Sequence, residues 1–362
     1  MQDLSFADGF GMLTRNIEGF VRGNSEVVRL ALICLFAEGH LLIEGAPGVA
    51  KTSLAKAIAR SIAADRRRIQ FTPDLLPWDV TGGRVFRQDS GTFRFEPGPV
   101  FTNILLADEI NRSSPRTQSA LLEVMAERQV TVDGTTYGVA EPFMCIATQN
   151  PIEHRGTFPL PEAQIDRFMM KVTMQPPEHS AELLVLKGGI ERRTPEAVQP
   201  VLTLDQVRKM IAEVREVHIT VTVLKYILAI VEATRRESAD LEAGVSPRAG
   251  IALALAAQAH AKSYGRDFVC GDDVKKVACP VLGHRLLLRR GAAGRDPDTI
   301  IEGLLEEIPA PSQDEAAREA KREREAELPP APASGSGQTA KSGPASESEH
   351  TAEPVREPVP GA

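Results

Sequence analysis

The octapeptide GAPGVAKT at residues 45–52 constrains the fold of this chain more than any other stretch. It follows HLLIEG, a short apolar run that ends in Gly, as a buried parallel strand does. Its last two residues open KTSLAKAIARSIAA, in which Leu54, Ile58 and Ile62 share one helical face. A Gly-rich turn in this context predicts a phosphate-binding loop, where backbone N–H groups and the helix N-terminus face an anion. A tight strand-to-helix turn without a ligand is the alternative.

The side chains at the end of the loop fit the same interpretation. Lys51 would reach the β- and γ-phosphates of a nucleotide, and the Thr52 hydroxyl would hold Mg²⁺. The motif has Gly where this chain has Ala50. We expect the methyl group to be tolerated, because Ala50 stands where the loop already enters the helix and Ala is the best helix former. The predicted nucleotide-binding residues of the loop are Gly45, Ala46, Pro47, Gly48, Val49, Ala50, Lys51, Thr52 and Ser53.

A second motif, ILLADE, places two carboxylates, Asp108 and Glu109, after four apolar positions. Ligands bind at the carboxyl ends of strands in open α/β sheets. Asp108 can bind nucleotide-bound Mg²⁺, and Glu109 can polarise an attacking water molecule, which are the two carboxylate functions of a nucleotide hydrolase. The alternative is an acidic pair that merely starts a loop. It fits poorly, because the two motifs stand in the order that a nucleotide hydrolase fold requires, with Lys51 first and Asp108 after it.

Three further residues are candidates with weaker signals. Asn150 ends the strand-like run in IATQNP, although Asn before Pro is also a common turn. Arg167 in PEAQIDRF has a surface ion pair as its alternative. Arg248 in GVSPRAG lies in the first turn of a predicted helix, where a cation is unfavourable unless an anion meets it. A phosphate would meet this need, and so would a nearby carboxylate.

The residues before Pro176-Pro177 alternate between strand-like and helix-like runs, which favours a helix-flanked, mainly parallel sheet. Ser114 and Pro115 mark the start of one of these helices. A hairpin is predicted to turn at Asp133-Gly134. The further strands are predicted at 67–71, 103–109 and 142–150.

After Pro177 the runs are amphipathic and helical, which predicts a small helical domain. Residues 312–327 carry charge on every side of any helix they form, so we expect no face to be buried there. Beyond Pro329 the chain is rich in Pro, Gly, Ser and Ala, a composition typical of disorder. The predicted domains are 1–176 (nucleotide-binding core), 177–308 (helical lid) and 309–362 (charged, then Pro/Ser/Ala-rich disordered tail).

Composition sets limits on function. The 362 residues carry a net charge of −7, which disfavours a nucleic-acid groove as the main site. No apolar run is long enough to span a bilayer, and the N-terminus has no secretory signal pattern. We expect a cytoplasmic protein with reduced thiols. The four cysteines are Cys34, Cys145, Cys270 and Cys279.

Together these motifs closely resemble the MoxR family of AAA+ ATPases over roughly residues 8–290. The matching stretches are GHLLIEGAPGVAKTSLA, FTPDLLPWDVTGG, LLADEINRSSPRTQSALLEVMAERQVTVDG, IATQNPIEHRGTFPLPEAQIDRF and GVSPRAGIALALA. The resemblance implies a P-loop core of αβα layers, a helical-bundle lid, and an insert at about 71–100. Trp78 departs from the small residue usual in that insert.

The resemblance also assigns roles to the candidate residues. It implies that Lys51 and Thr52 form the Walker A pair and that Asp108 and Glu109 form the Walker B pair. Asn150 becomes the sensor-1 residue, Arg248 the sensor-2 residue, and Arg167 the arginine finger toward a neighbouring subunit. The implied metal ligands are Thr52 and Asp108.

The implied activity is hydrolysis of ATP with Mg²⁺ in a homo-oligomeric ring, expected to be a hexamer. Such a ring would remodel, mature or activate partner proteins, often ones with a von Willebrand factor A domain. A chelatase-type motor that drives metal insertion into a cofactor is the main alternative. A nucleic-acid motor fits the acidic charge poorly, and a non-hydrolysing switch would have no need of Glu109.

Overall fold

The structure is a computed structural model, and it describes residues 4–46, 48–150, 157–190, 198–236, 241–289 and 296–327. The strands in these ranges are β1 (Leu41–Glu44), β2 (Arg66–Gln70), β3 (Gly82–Arg87), β4 (Thr92–Pro97), β5 (Ile104–Asp108), β6 (Gln129–Val132), β7 (Thr135–Gly138), β8 (Met144–Gln149), β9 (Met170–Thr173), β10 (Leu241–Ala243) and β11 (Leu287–Leu288). The helices are α1 (Phe6–Glu18), α2 (Ser25–Phe36), α3 (Lys51–Ser61), α4 (Pro77–Thr81), α5 (Pro115–Glu127), α6 (Glu162–Ile165), α7 (His179–Ile190), α8 (Leu204–Arg215), α9 (Val221–Arg235), α10 (Pro247–Ser263), α11 (Gly271–Leu282), α12 (Pro297–Glu307) and α13 (Gln313–Glu327).

The central sheet has five parallel strands in the order β2-β5-β8-β1-β9. Every residue of β5 is buried, which is why its sequence is a continuous apolar run rather than an alternating one. The three strands in the middle, β5, β8 and β1, end at the same edge of the sheet. The loop after β1 and the carboxylates after β5 therefore belong to one region of the molecule.

Helices cover both faces of the sheet. Along β5, Ile104 and Leu106 pack with helices α1, α2 and α3, whereas Leu105 and Ala107 pack into a second cluster with α5. Successive side chains of a strand point to opposite faces, so one apolar run supplies both clusters. The predicted αβα layers around a parallel sheet are confirmed.

Two hairpins project from this core. Strands β3 and β4 pair antiparallel within the predicted insert, and β6 and β7 pair around Asp133-Gly134. Asp133 and Gly134 both have positive φ, 49° and 78°, as a two-residue hairpin turn requires. The side chain of Trp78, on α4 within the insert, is largely exposed.

The residues after β9 form a helical lid around α8, α9, α10 and α11, as predicted. Their apolar side chains join the same cluster as α1, α2 and α3, so the lid packs directly on one layer of the core. Helices α1 and α2, before the first strand, had no counterpart among the predicted elements. The short pair β10–β11 within the lid was not predicted either.

The expectation for residues 312–327 is wrong. Residues 313–327 form α13, and Ala316 and Ala320 are 0% and 3% exposed. Three polar side chains fasten this helix to the lid: Glu319 accepts from Thr222, Glu323 meets His218 at 2.6 Å, and Arg324 donates to the Asp267 carbonyl. A disordered tail therefore does not begin at 309, and residues 328–362 lie outside the described residues.

A buried carboxylate joins α10 to α11. Asp273 is fully buried and accepts hydrogen bonds from Arg266 (2.5 and 2.6 Å) and from the Cys270 N–H (2.9 Å), with His260 at 2.6 Å. Burial alone would raise its pKa, but the hydrogen bonds from Arg266 and His260 outweigh burial and hold the pKa of Asp273 well below its usual range.

We predict that Asp273→Asn lowers the free energy of unfolding by about 3–5 kcal/mol at pH 7, because it leaves the partly buried Arg266 without its counter-charge. Urea denaturation measures the change. Asp272→Asn is the matched control, since Asp272 is the exposed neighbour in the same first turn. Equal stability of the two variants would contradict the prediction.

Candidate nucleotide-binding site

The predicted loop and both carboxylates meet at the carboxyl edge of β1, β8 and β5. Lys51 donates to the Gly45 carbonyl (2.6 Å) and to the Gln149 carbonyl (3.3 Å), so its side chain folds back over the loop and reaches the end of β8. Thr148, one residue earlier on β8, donates to Asp108 Oδ1 (2.6 Å) and accepts from the Glu109 N–H (2.9 Å). Asn150 comes directly after the last residue of β8 and is buried.

Ala50 differs from its prediction. It is not in helical conformation but has φ 67° and ψ 19°, in the left-handed region, as the residue just before α3. A left-handed conformation costs an L-residue with a side chain roughly 1–2 kcal/mol. The position therefore needs the backbone conformation that Gly would supply without strain, and the methyl group is held there at a cost.

The loop presents the features of an anion cradle. Gly48 has φ 87°, and a Cβ built there would meet nothing within 4 Å, so open space lies against the backbone. Helix α3 begins without a hydrogen bond from a capping side chain. The first N–H groups of a helix lack intrahelical partners and carry its positive dipole end. A phosphate would satisfy both needs. Pro47 lies outside the described residues.

Asp108 has donors on both of its oxygens. Besides Thr148 on Oδ1, the guanidinium of Arg68 approaches Oδ2 through Nη2 (2.7 Å) and Nε (3.2 Å). Arg68 lies on β2, the neighbouring strand, where Gln70 is the register partner of Asp108. No feature of the sequence pointed to Arg68, because it reads as one of three consecutive arginines at a strand start.

Glu109 lies directly after β5, outside the strand. Its backbone has φ 56° and ψ 50°, and its carboxylate accepts from Arg112 at 2.9 Å. About a quarter of its side chain, 26%, is exposed, so solvent reaches the carboxylate. The spacing of three residues between Glu109 and Arg112 is a signal in the sequence that the prediction did not use.

The donors present fit Mg²⁺, which is a hard cation that keeps several waters and binds one or two oxygen side chains together with phosphate oxygens. Asp108 supplies a carboxylate at the strand end, and the Thr52 hydroxyl lies in the first turn of α3. With the loop and Lys51 for phosphates, the same region suits an Mg²⁺–nucleotide complex.

The two predicted arginines lie at the junction of core and lid. Arg167 donates to the Leu122 carbonyl in the middle of α5 (2.8 Å), and Arg248 approaches Asp166 at 3.8 Å with 65% of its side chain exposed. The carboxylate foreseen as an alternative partner of Arg248 is therefore Asp166, the neighbour of Arg167. Ser246 caps α10 by accepting a hydrogen bond from the Ala249 N–H.

A third arginine at this junction was missed. Arg285 is only 3% exposed and donates from Nε to the Asp166 carboxylate (2.7 Å). It also donates to the carbonyls of Asp166, Phe168 and Met169. Burial lowers the pKa of Arg285, and the Asp166 carboxylate opposes that shift. This side chain ties the lid to the segment that carries Arg167.

A Gly-rich loop after β1, two carboxylates at the end of β5 and a helical lid are the features of a P-loop nucleotide-binding fold. The family models agree: residues 40–170 match the "ATPase family associated with various cellular activities (AAA)" and residues 233–304 match the "AAA lid domain". No helix among the described residues has the length and apolar character needed to cross a membrane.

The chain is similar to other proteins over more than four fifths of its length. It is 44% identical to "Uncharacterized protein YeaC" of Bacillus subtilis (85% of this chain, 97% of that protein) and 41% identical to "Chaperone MoxR1" of Mycobacterium tuberculosis (82% and 80%). A crystal structure of a protein from Cytophaga hutchinsonii, 38% identical, superposes with a TM-score of 0.79 (85% of this chain, 96% of that one). The chain belongs to the MoxR family of AAA+ ATPases.

We predict that Ala50→Gly leaves nucleotide affinity unchanged and alters the free energy of unfolding by less than about 1 kcal/mol. Relief of the left-handed strain is offset by the greater backbone entropy that Gly loses on folding. Ala50→Val should lower both the nucleotide affinity and the free energy of unfolding, because a β-branched side chain tolerates this conformation poorly. Calorimetric titration with ADP and urea denaturation are the measurements. A loss of binding in Ala50→Gly would contradict the prediction.

His40, directly before β1, is a buried histidine whose hydrogen bonds require the neutral ring. Its Nδ1 accepts from the Cys145 N–H (3.0 Å) and its Nε2 donates to the Met125 carbonyl (3.0 Å), an arrangement only the neutral ring can make. Burial lowers the pKa of His40 to about 4. Below pH 6.5 the unfolded chain therefore binds a proton that the folded protein does not.

We predict that the free energy of unfolding falls by about 1 kcal/mol per pH unit between pH 6 and pH 4.5 on account of His40. The half-buried His284, whose pKa is also lowered by desolvation, adds to the slope. Denaturation curves at pH 7, 6 and 5 measure it. His40→Gln should flatten the slope, and the exposed His179→Gln should not. An unchanged slope in His40→Gln would refute this assignment.

Proposed function

We propose that this protein hydrolyses ATP with Mg²⁺ in a homo-oligomeric ring, a hexamer, and uses the energy to remodel, mature or activate partner proteins. The observation that carries the proposal is the junction of Lys51, Asp108 and Glu109 at the uncapped start of α3. Family membership and the name "Chaperone MoxR1" of one relative support the same conclusion.

The roles of the residues follow from their positions. The α3 N-terminus and Lys51 bind the phosphates, which draws the Lys51 ammonium away from the Gly45 carbonyl. Asp108 and Thr52 would hold Mg²⁺, which supplies charge neutralisation to the phosphate oxygens. Glu109 accepts the proton of the attacking water, and its carboxylate must leave Arg112 to do so. Asn150 orients that water or a phosphate oxygen.

The two arginines act at the edge of the subunit. Arg167 stabilises the charge that develops on the nucleotide of the neighbouring subunit, which makes hydrolysis depend on assembly. Arg248, on the lid, is held by an exposed and long contact to Asp166, and a phosphate in the same subunit is a stronger partner for it. Nucleotide binding would thereby move α10 relative to the segment that carries Arg167.

The insert with β3 and β4 is the element we assign to the transmission of this movement to a client. It projects from the core, and Phe86 and Phe93 at its tip are 50% and 58% exposed. A client with a von Willebrand factor A domain is the first candidate. A chelatase-type motor remains the second, distinguished by whether ATP turnover drives metal insertion into a tetrapyrrole in a reconstituted system.

We predict that ATP turnover requires Mg²⁺, that its specific activity rises with protein concentration, and that Glu109→Gln and Arg167→Ala each lower it by at least about 100-fold. Glu109→Gln should still bind ATP, because the residue acts on water rather than on the nucleotide. Glu123→Gln, an exposed carboxylate on α5, is the matched control. Sedimentation of the same samples measures whether the subunits assemble into a ring.

Two results would count against the proposal. If the protein sediments as a monomer and its turnover is independent of concentration, Arg167 does not act on the nucleotide of a neighbouring subunit. If Glu109→Gln keeps full activity, Glu109 is not the general base.

A further inference from the structure

The charge of Asp108 has a partner that the assigned roles do not use. Asp108 is 8% exposed, and Arg68 places two nitrogens, Nη2 at 2.7 Å and Nε at 3.2 Å, on its Oδ2. Thr148 occupies Oδ1. A buried ionised carboxylate needs an opposite charge or several hydrogen bonds to be stable. In the structure, the opposite charge next to Asp108 is the guanidinium of Arg68.

Arg68 is able to give up this contact at low cost. Half of its side chain is exposed, so its guanidinium keeps access to water. The same Nη2 also donates to Gln70 Oε1 at 2.6 Å, at the end of β2. Because this second acceptor remains after Asp108 is released, the guanidinium would not lose all of its protein hydrogen bonds.

A divalent cation at Asp108 would meet a carboxylate whose charge Arg68 already compensates. It must either displace the guanidinium or bind beside it, and in both cases the positive charge of Arg68 opposes it. Mg²⁺ gives up its water reluctantly and binds proteins chiefly through a few carboxylates and the phosphates of a substrate. With its carboxylate neutralised, this site depends on the phosphates for most of its attraction to the metal.

We propose that Arg68 is the counter-ion of Asp108 in the nucleotide-free site, and that it lowers the affinity for Mg²⁺ so that metal binding depends on bound nucleotide. This inference rests on the proposed function, in which Asp108 serves an Mg²⁺–nucleotide complex. Arg68 is a positioning residue in this scheme, since it acts through Asp108 and touches neither nucleotide nor water at the reaction.

The test removes the charge and keeps a hydrogen-bonding side chain. We expect Arg68→Gln to lower the Mg²⁺ concentration for half-maximal binding of a fluorescent ADP analogue by about threefold to tenfold. Arg68→Lys, which keeps the charge, should stay close to wild type. Arg67→Gln is the matched control, because it removes the same charge from the adjacent, exposed position of β2.

A second readout needs no nucleotide. Electron paramagnetic resonance of Mn²⁺ added to the nucleotide-free protein should detect binding to Arg68→Gln at concentrations about threefold to tenfold below those needed for wild type. Thermal unfolding in EDTA should show Arg68→Gln less stable than Arg67→Gln, since Asp108 then lacks its counter-ion, and Mg²⁺ with ADP should remove the difference.

An equal or higher Mg²⁺ requirement in Arg68→Gln would overturn the inference and leave the proposed function intact. If wild type binds no ADP analogue at any Mg²⁺ concentration, the proposed function fails. The Mn²⁺ measurement then decides the inference by itself: tighter binding by Arg68→Gln supports it, and equal binding refutes it.

Discussion

The parallel alignment of β5, β8 and β1 is the constraint on which the rest of the structure depends. Helices cover both faces of the sheet, so the strand interiors must be apolar, and polar groups are confined to the strand ends. The order β5-β8-β1 then puts Thr148 between the loop and the carboxylates, where it bonds both Asp108 and Glu109. The same apolar burial that stabilises the fold therefore concentrates the polar groups at one edge.

This dependence explains what the sequence could predict. The buried strands and the loop between β1 and α3 are local patterns in the sequence, and the alternation of strands with helices indicates a parallel sheet. The core and the candidate residues Lys51, Asp108 and Glu109 could therefore be predicted from the sequence. The conformation of Ala50 was not, because it is set by how the loop closes between a fixed strand and a fixed helix rather than by the helix propensity of Ala. Arg68 was invisible for a related reason: its partner lies 40 positions away, on another strand.

Helix α13 shows where composition misleads. Its buried face consists of alanines, Ala316 and Ala320, four residues apart, which a search for larger apolar side chains overlooks. Its charged residues are not a solvated surface throughout, since Glu319 and Glu323 bond Thr222 and His218 at the start of α9. A charged helix can thus be held by small apolar contacts together with specific polar ones, and only the tertiary partners reveal this.

The junction of lid and core carries two arginine contacts of very different strength. Arg285 is almost fully buried and bonds both the carboxylate and the carbonyl of Asp166, so separating it would leave a desolvated charge without partners. Arg248 meets the same carboxylate at 3.8 Å from an exposed position, where an ion pair contributes little. The Arg248 contact is therefore the easier of the two to break. Asp166, next to Arg167 in the chain, thus contacts both the first turn of α10, through Arg248, and the buried Arg285 side chain.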